Sequence, residues 1–269
     1  MKIRIAIMVA AFLLSGIFTC IGCCATKPLW GCIGAISSAL LGSVLSLILD
    51  AVDTHGQGLR LWFQHFKYGK KDVRLSFSYL FRIPVGGKYL LVRGNRLKRQ
   101  YQPVGGVYKY YPEAKPTLEH FRYRPDIKMG NTDETDDLRI YIKGKYLLQF
   151  MDWFRSMQNR EYDPSREFSE ELIETGLLPT GVFQKLEYRK VCVHNAGVQY
   201  SKYTSCDELI YADIFELKLT GEQTQAILDA VRDHPDQLCL ATAEELKSEC
   251  YNGIEKNIGN NAVWLLGEE

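Results

Sequence analysis

The sequence predicts an α+β protein: two N-terminal transmembrane helices followed by a soluble sandwich of strands and helices. Three observations predict it. Ile5 to Thr26 and Pro28 to Leu49 are uncharged runs of 22 residues each, and a bilayer core of about 30 Å needs roughly 20 helical residues. Beyond Asp50 the chain carries segments that alternate apolar and polar residues, which is the period of a half-buried strand. Between and after those segments, apolar residues recur at helical spacing.

Lys2 and Arg4 precede the first run, and Cys20, Gly22 and Ala25 supply small residues near its end, so the run also has the layout of a cleaved signal peptide. The second run spans a bilayer under either reading. Only Lys27 lies between the runs, whereas Lys2, Arg4, Arg60, Lys67, Lys70, Lys71 and Arg74 flank them. The positive-inside rule then sets both termini and the soluble domain in the cytoplasm. Small residues four apart in the second run (Ala35 and Ala39, Ser38 and Gly42, Ala39 and Ser43, Gly42 and Ser46) suit close helix packing in lipid. They serve hairpin closure or a homo-oligomer built through these helices.

Residues 1–52 form the hairpin in this reading, 53–71 a juxtamembrane connector with Trp62, Phe63 and Phe66, and 72–269 the cytoplasmic domain. From Asp50 onward, 30 Lys and Arg face 32 Asp and Glu, a formal charge of −2. That balance offers no polybasic surface as a whole to phospholipid or to a nucleic-acid polymer, and membrane lipid is the partner expected of the hairpin. Cys192, Cys206, Cys239 and Cys250 lie in the soluble part, where a reducing cytoplasm keeps thiols free. Strand alternation accounts for Cys192 and His194 without a metal.

In chain order, VRLSFSYLFRIPV and KYLLVRGNR read as strands joined at Gly86-Gly87. RQYQPVGGVYKYY reads as a third strand with its own glycine pair, and Pro112 to Asp137 as a long loop. LRIYI is a strand, and Leu147, Phe150, Met151 and Phe154 give the next helix a core-facing side. Pro164 and Ser165 start a helix that Gly176 and Pro179 end. FQKLEYRKVCVHN and ELIYADIFELKL are strands, GEQTQAILDAVRDH a helix, LCLAT a strand and AEELKSECY a helix.

The helix after Ser165 is the chemically informative element. Glu167, Glu170, Glu171 and Glu174 stand at i, i+3, i+4 and i+7 and share one face. Like charges so spaced cost about 0.2 to 0.5 kcal/mol per pair. Mg²⁺ would reverse the sign of that cost, and one carboxylate would then act as general base on a metal-bound water. A solvated helix face is the alternative reading. Arg93, Arg96, Lys98 and Arg99 supply charge for phosphates, and Tyr101, Tyr108, Tyr110 and Tyr111 supply rings for a base; solvated turns and cross-strand packing explain the same residues.

Arg166-Glu167-Phe168-Ser169-Glu170-Glu171 resembles the central half of a Nudix box, and Gly105-Gly106 resembles the glycine pair that precedes one. The box is split, because 60 positions separate Gly106 from Arg166, and its closing glycine, Gly176, falls five positions after Glu171. The split box, together with DDLRIYIKGKYLLQFMDWF, REFSEEL and DELIYADIFEL, is similar to the Nudix domain associated with bacterial cGAS/DncV-like nucleotidyltransferases (CD-NTases). With two transmembrane helices ahead of it, the chain resembles the membrane Nudix effectors of CBASS antiphage systems.

The resemblance implies a Nudix-like α/β/α sandwich with a mixed sheet that senses a cyclic nucleotide second messenger made by a CD-NTase. It implies disruption of the inner membrane and abortive infection as the outcome, with Arg93, Arg96, Arg99 and Tyr108 at the nucleotide. The alternative is a membrane-anchored hydrolase of a nucleoside diphosphate derivative, with Mg²⁺ on Glu167, Glu170, Glu171 and Glu174 and with Glu170 and Glu171 catalytic.

Overall fold

The computed structural model describes residues 67–94, 99–127 and 136–267. The hairpin expected over 1–52, the connector up to residue 66, and Arg96 and Lys98 lie outside the described residues. Among the described residues no helix is long and apolar enough to cross a membrane.

Strand β1 (Asp72–Arg82) is the spine of the domain. Val73, Leu75, Phe77, Tyr79 and Phe81 are each 0% exposed, as the sequence alternation requires of one strand face. One edge of β1 takes β9 (Cys206–Leu217) in parallel, from Arg74 opposite Glu208 to Arg82 opposite Glu216. The other edge is shared by two antiparallel strands. β7 (Arg139–Lys143) pairs with its first half, and β5 (Gly105–Val107) pairs with Ser78 to Leu80. β8 (Tyr188–Ser201) returns antiparallel on β9, and β6 (Arg124–Pro125) borders β7. The six-stranded sheet is therefore mixed, as expected.

A second, antiparallel sheet holds β2 (Pro84–Val85), β3 (Lys88–Arg93), β4 (Tyr101–Gln102) and β10 (Leu238–Ala241). The β2–β3 turn falls at Gly86 and Gly87, with φ of +57° and +78°. Two positive φ values in a two-residue turn match the right-handed twist of the flanking strands, and glycine adopts them without strain.

Helix α1 covers Lys115–His120 and α2 covers Leu147–Arg155. The α2 residues Leu147, Phe150, Met151 and Phe154 are buried, and the Phe150 and Phe154 rings lie 5.0 and 4.6 Å from that of Phe77 on β1. Next comes α3 (Ser165–Phe168), whose Phe168 packs with Phe81 and Val104. Helices α4 (Gly221–Asp233) and α5 (Ala243–Ser248) follow, each opened by a capping box, Thr220 with Gln223 and Thr242 with Glu245. α4 joins the α3 cluster through Ile227 and Ala230, while α5 and the 3₁₀ turn Ala262–Leu266 pack with Leu80, Ala212 and Ile214.

Three local expectations are corrected. The stretch from Pro112 is not one loop, because it holds a 3₁₀ turn (Pro112–Ala114), α1 and β6. Prolines in the opening turns and the buried Leu118 anchor it. RQYQPVGGVYKYY is not one strand, since Pro103 interrupts it and β4 and β5 join different sheets. The glutamate helix is not a single α-helix. After Phe168 it widens into a π-helical turn, Ser169–Ile173, in which the Glu174 amide donates to the Ser169 carbonyl at 2.8 Å.

Candidate functional site

The glycine pair and the glutamate helix, 60 positions apart in the chain, meet on the second half of β1. Gly105 runs so close to β1 that a Cβ there would stand 2.2 Å from the Tyr79 carbonyl oxygen, and its φ is +152°. Only glycine fits. At Gly106 a Cβ would fall 2.0 Å from the Glu167 carboxyl group, so Glu167 lies directly on the bare glycine backbone. Glu171 Oε2 accepts the Gly105 amide at 3.1 Å.

Arg166 is the hub. Its Nε donates to Glu161 Oε1 at 2.8 Å, and Nη1 donates to Glu167 Oε1 at 2.8 Å and Glu170 Oε2 at 3.1 Å. Nη2 donates to the Tyr79 hydroxyl and the Val107 carbonyl, both at 3.3 Å. Glu161, 8% exposed, also accepts the Lys109 amide through Oε2 at 3.2 Å. Burial opposes the Arg166 charge, but the Glu161 hydrogen bond and the surrounding negative groups outweigh it and raise the guanidinium pKa further. Burial raises the Glu167 pKa, and Arg166 pulls the other way without cancelling it.

The π-helical turn distributes the glutamates. Glu167 and Glu171 face the glycine pair and Glu170 sits at the rim, its side chain 45% exposed. Glu174 is exposed and accepts from the Ser169 hydroxyl at 3.4 Å. Among the described residues no group of three His, Cys, Asp or Glu side chains is placed to hold a metal ion. The Arg166 guanidinium, one positive charge, is shared among Glu161, Glu167 and Glu170. As placed, the four glutamates do not converge on one Mg²⁺ ion.

The helix is launched by Asp163, whose Oδ1 accepts from the Ser165 amide and from the Tyr188 hydroxyl, both at 2.8 Å. Glu161 was not among the residues singled out by sequence. Its signal is local, a glutamate five positions before the arginine across an Asp-Pro turn that folds the two side chains together.

The expected nucleotide-binding residues do not gather at this site. Tyr108 is 1% exposed, its hydroxyl donates to Asp213 Oδ2 at 2.7 Å, and its ring lies edge-on to Tyr79. A tyrosine so engaged packs in the core and offers no face to a base, contrary to the expectation from sequence. Tyr101 and Tyr110 are likewise buried. Arg93 stacks over Tyr101 at 4.3 Å and donates to the Arg99 carbonyl at 2.7 Å and to Asn257 Oδ1 at 3.0 Å, which makes it a brace for that corner. Arg99 is exposed.

A cavity of about 650 Å³ lies between β2, the β8–β9 ladder and the start of α4, a volume in the range of ligand sites. Its charged walls cancel, with Lys218 paired to Glu187 at 3.1 Å and Arg189 to Glu216 at 2.9 Å.

A mixed sheet with a glycine pair on the short strand β5 beside its central strand, and an arginine-glutamate helix seated on that pair, defines a Nudix-type domain. The chain belongs to the family of the SMODS-associated NUDIX domain, whose model matches residues 72–266. No curated protein and no solved structure matches the chain.

Proposed function

We propose that the chain is a membrane effector of a CBASS antiphage system. In this reading the Nudix-type domain binds a cyclic nucleotide second messenger from a CD-NTase. Residues 1–52 form a hairpin in the bacterial inner membrane, with both termini cytoplasmic, and self-associate through the small-residue face of the second run. Messenger binding reorganises the hairpins, the membrane is breached, and the infected cell stops growing. The observation that carries this reading is the joining, in one chain, of a SMODS-associated NUDIX domain to two uncharged runs of 22 residues.

The state of the glutamates supports binding over hydrolysis. Arg166 engages Glu167 and Glu170, Glu171 takes the Gly105 amide and Glu174 is exposed, so the four carboxylates are spent on separate partners rather than on one ion. Exposed Arg99, and Arg96 outside the described residues, are the remaining candidates for the messenger's phosphates. The second reading, a Mg²⁺-dependent hydrolase, draws on the seating of Glu167 and Glu171 against the glycine pair. Titration calorimetry of the full chain in detergent against a panel of cyclic di- and trinucleotides tests the first reading. Saturable binding of one member without turnover is expected, and no binding across the panel would sink it.

A further inference from the structure

We infer that the end of the domain at which the described chain begins rests on anionic phospholipid headgroups. The proposal depends on the membrane reading of residues 1–52 and adds a second, surface contact to it. Three segments meet at this end. The first is the turn Lys67–Lys71, which leads into β1. The 3₁₀ turn Gly144–Tyr146 is tied to it by the Gly144 amide on the Lys71 carbonyl at 2.9 Å and the Lys145 amide on the Gly69 carbonyl at 3.1 Å. A Cβ at Gly144 would meet the Tyr68 carbonyl oxygen at 2.2 Å, so the approach is enforced. The tip of the β8–β9 hairpin completes the end, where the last pair is Ser201 with Cys206 and Lys71 Nζ reaches Asp207 Oδ2 at 3.7 Å.

The carboxylates around β1 here are already matched. Asp72 takes Arg124 at 3.0 Å and Lys143 at 2.8 Å, Asp207 takes Lys71, and Glu208 takes the buried Arg74 at 3.1 Å. Lys67, Lys70, Lys145 and Lys202 are exposed and make no ion pair among the described residues. The soluble part as a whole is slightly acidic, so the positive surplus is a property of this end.

Aromatic rings accompany the lysines. Lys67 lies over the Tyr68 ring at 4.9 Å and Lys145 over Tyr146 at 4.7 Å, while Tyr200 and Tyr203 are 65% and 66% exposed. Lysines on flexible stems beside amphipathic rings complement a headgroup layer, where the ammonium meets phosphate and the ring sits at the polar boundary. A bilayer is the occupant because of what precedes the patch. Both uncharged runs lie ahead of Lys67, and the 16 residues from 51 to 66 are the only tether. A tether spanning about 1.5 to 3.5 Å per residue keeps this end within reach of the membrane it leaves.

The test uses full-length chain in nanodiscs of phosphatidylcholine alone or mixed with an equal part of phosphatidylglycerol, read by hydrogen–deuterium exchange. The expected result is slower exchange over 67–71 and 200–206 in the anionic discs only, with α4 unchanged. The triple variant Lys70→Glu, Lys145→Glu, Lys202→Glu should lose that difference while α4 exchange and alkaline-carbonate resistance stay as in wild type. Equal exchange in both discs, in a chain that resists carbonate, would overturn the headgroup contact and leave the membrane reading standing. A chain extracted by carbonate would overturn both.

Discussion

Replacing Arg166 with leucine removes the guanidinium and leaves its carboxylates in place. Breaking one side of a fully buried ion pair costs about 3 to 5 kcal/mol, because the partner charge stays desolvated. The Arg166, Glu161 and Glu167 side chains are 25%, 10% and 17% exposed, so part of that cost is screened. Glu170, at 45%, adds under about 1 kcal/mol. The expected loss is therefore about 2 to 4 kcal/mol, which for a domain of this size lowers the unfolding temperature by about 5 to 15 °C.

Thermal unfolding followed by tryptophan fluorescence reads that loss. Adding Glu161→Gln to Arg166→Leu removes the stranded charge but keeps an acceptor for the Lys109 amide. About half of the loss should return. A loss under about 1 kcal/mol for the single variant, or no recovery in the double, would show that the network is solvated and that Arg166 does not organise the site.

The glycine pair should respond unequally. Gly105→Ala drives a Cβ into the β1 backbone and should cost about 3 kcal/mol or more in urea unfolding. Gly106→Ala meets the Glu167 side chain, its carboxyl group at 2.0 Å and Cγ at 2.4 Å, which must shift away from the glycine, and should cost about 1 to 2 kcal/mol. Asp163→Ala removes the bonds from Ser165 and Tyr188 and should cost under about 1 kcal/mol. Burial raises the Asp163 pKa, but the Ser165 and Tyr188 hydrogen bonds together leave it below its ordinary 3.8. Its folded-state pKa is thus depressed, so its contribution is present above pH 3.8 and is lost as pH falls through the folded value. Melts of wild type and D163A should accordingly converge in acid. Tyr108→Phe strips Asp213 of one bond, should cost about 1 to 2 kcal/mol, and should leave messenger affinity unchanged in the same calorimetry.

Much of the scaffold was legible because its signals are periodic. The odd positions of β1 and the Leu147, Phe150, Met151 and Phe154 face of α2 are buried as the patterns require. Thr220 with Gln223 and Thr242 with Glu245 also write the starts of α4 and α5 into the sequence as capping boxes. What stayed illegible depends on contacts distant in the chain. Nothing local tells that β4 and β5 part into two sheets at Pro103, or that Tyr108 points inward to Asp213 across 105 positions.

At the site, the residue types and the glycine pair were legible, but the partnership was not. Periodicity of 3.6 places all four glutamates on one face, whereas the π-helical turn sends Glu171 to the Gly105 amide and leaves Glu174 outside. Glu161 escaped notice because its tie to Arg166 crosses a turn rather than a helix face.

The central claim is that the domain senses rather than hydrolyses, and membrane potential in cells producing the CD-NTase messenger tests it most directly. Wild type and the Glu170→Gln, Glu171→Gln variant, expressed at equal levels, should both depolarise the inner membrane once the messenger is made. Depolarisation by wild type that the double variant abolishes, although the variant still binds the messenger, would contradict the account and place hydrolysis at the centre of the effector's action.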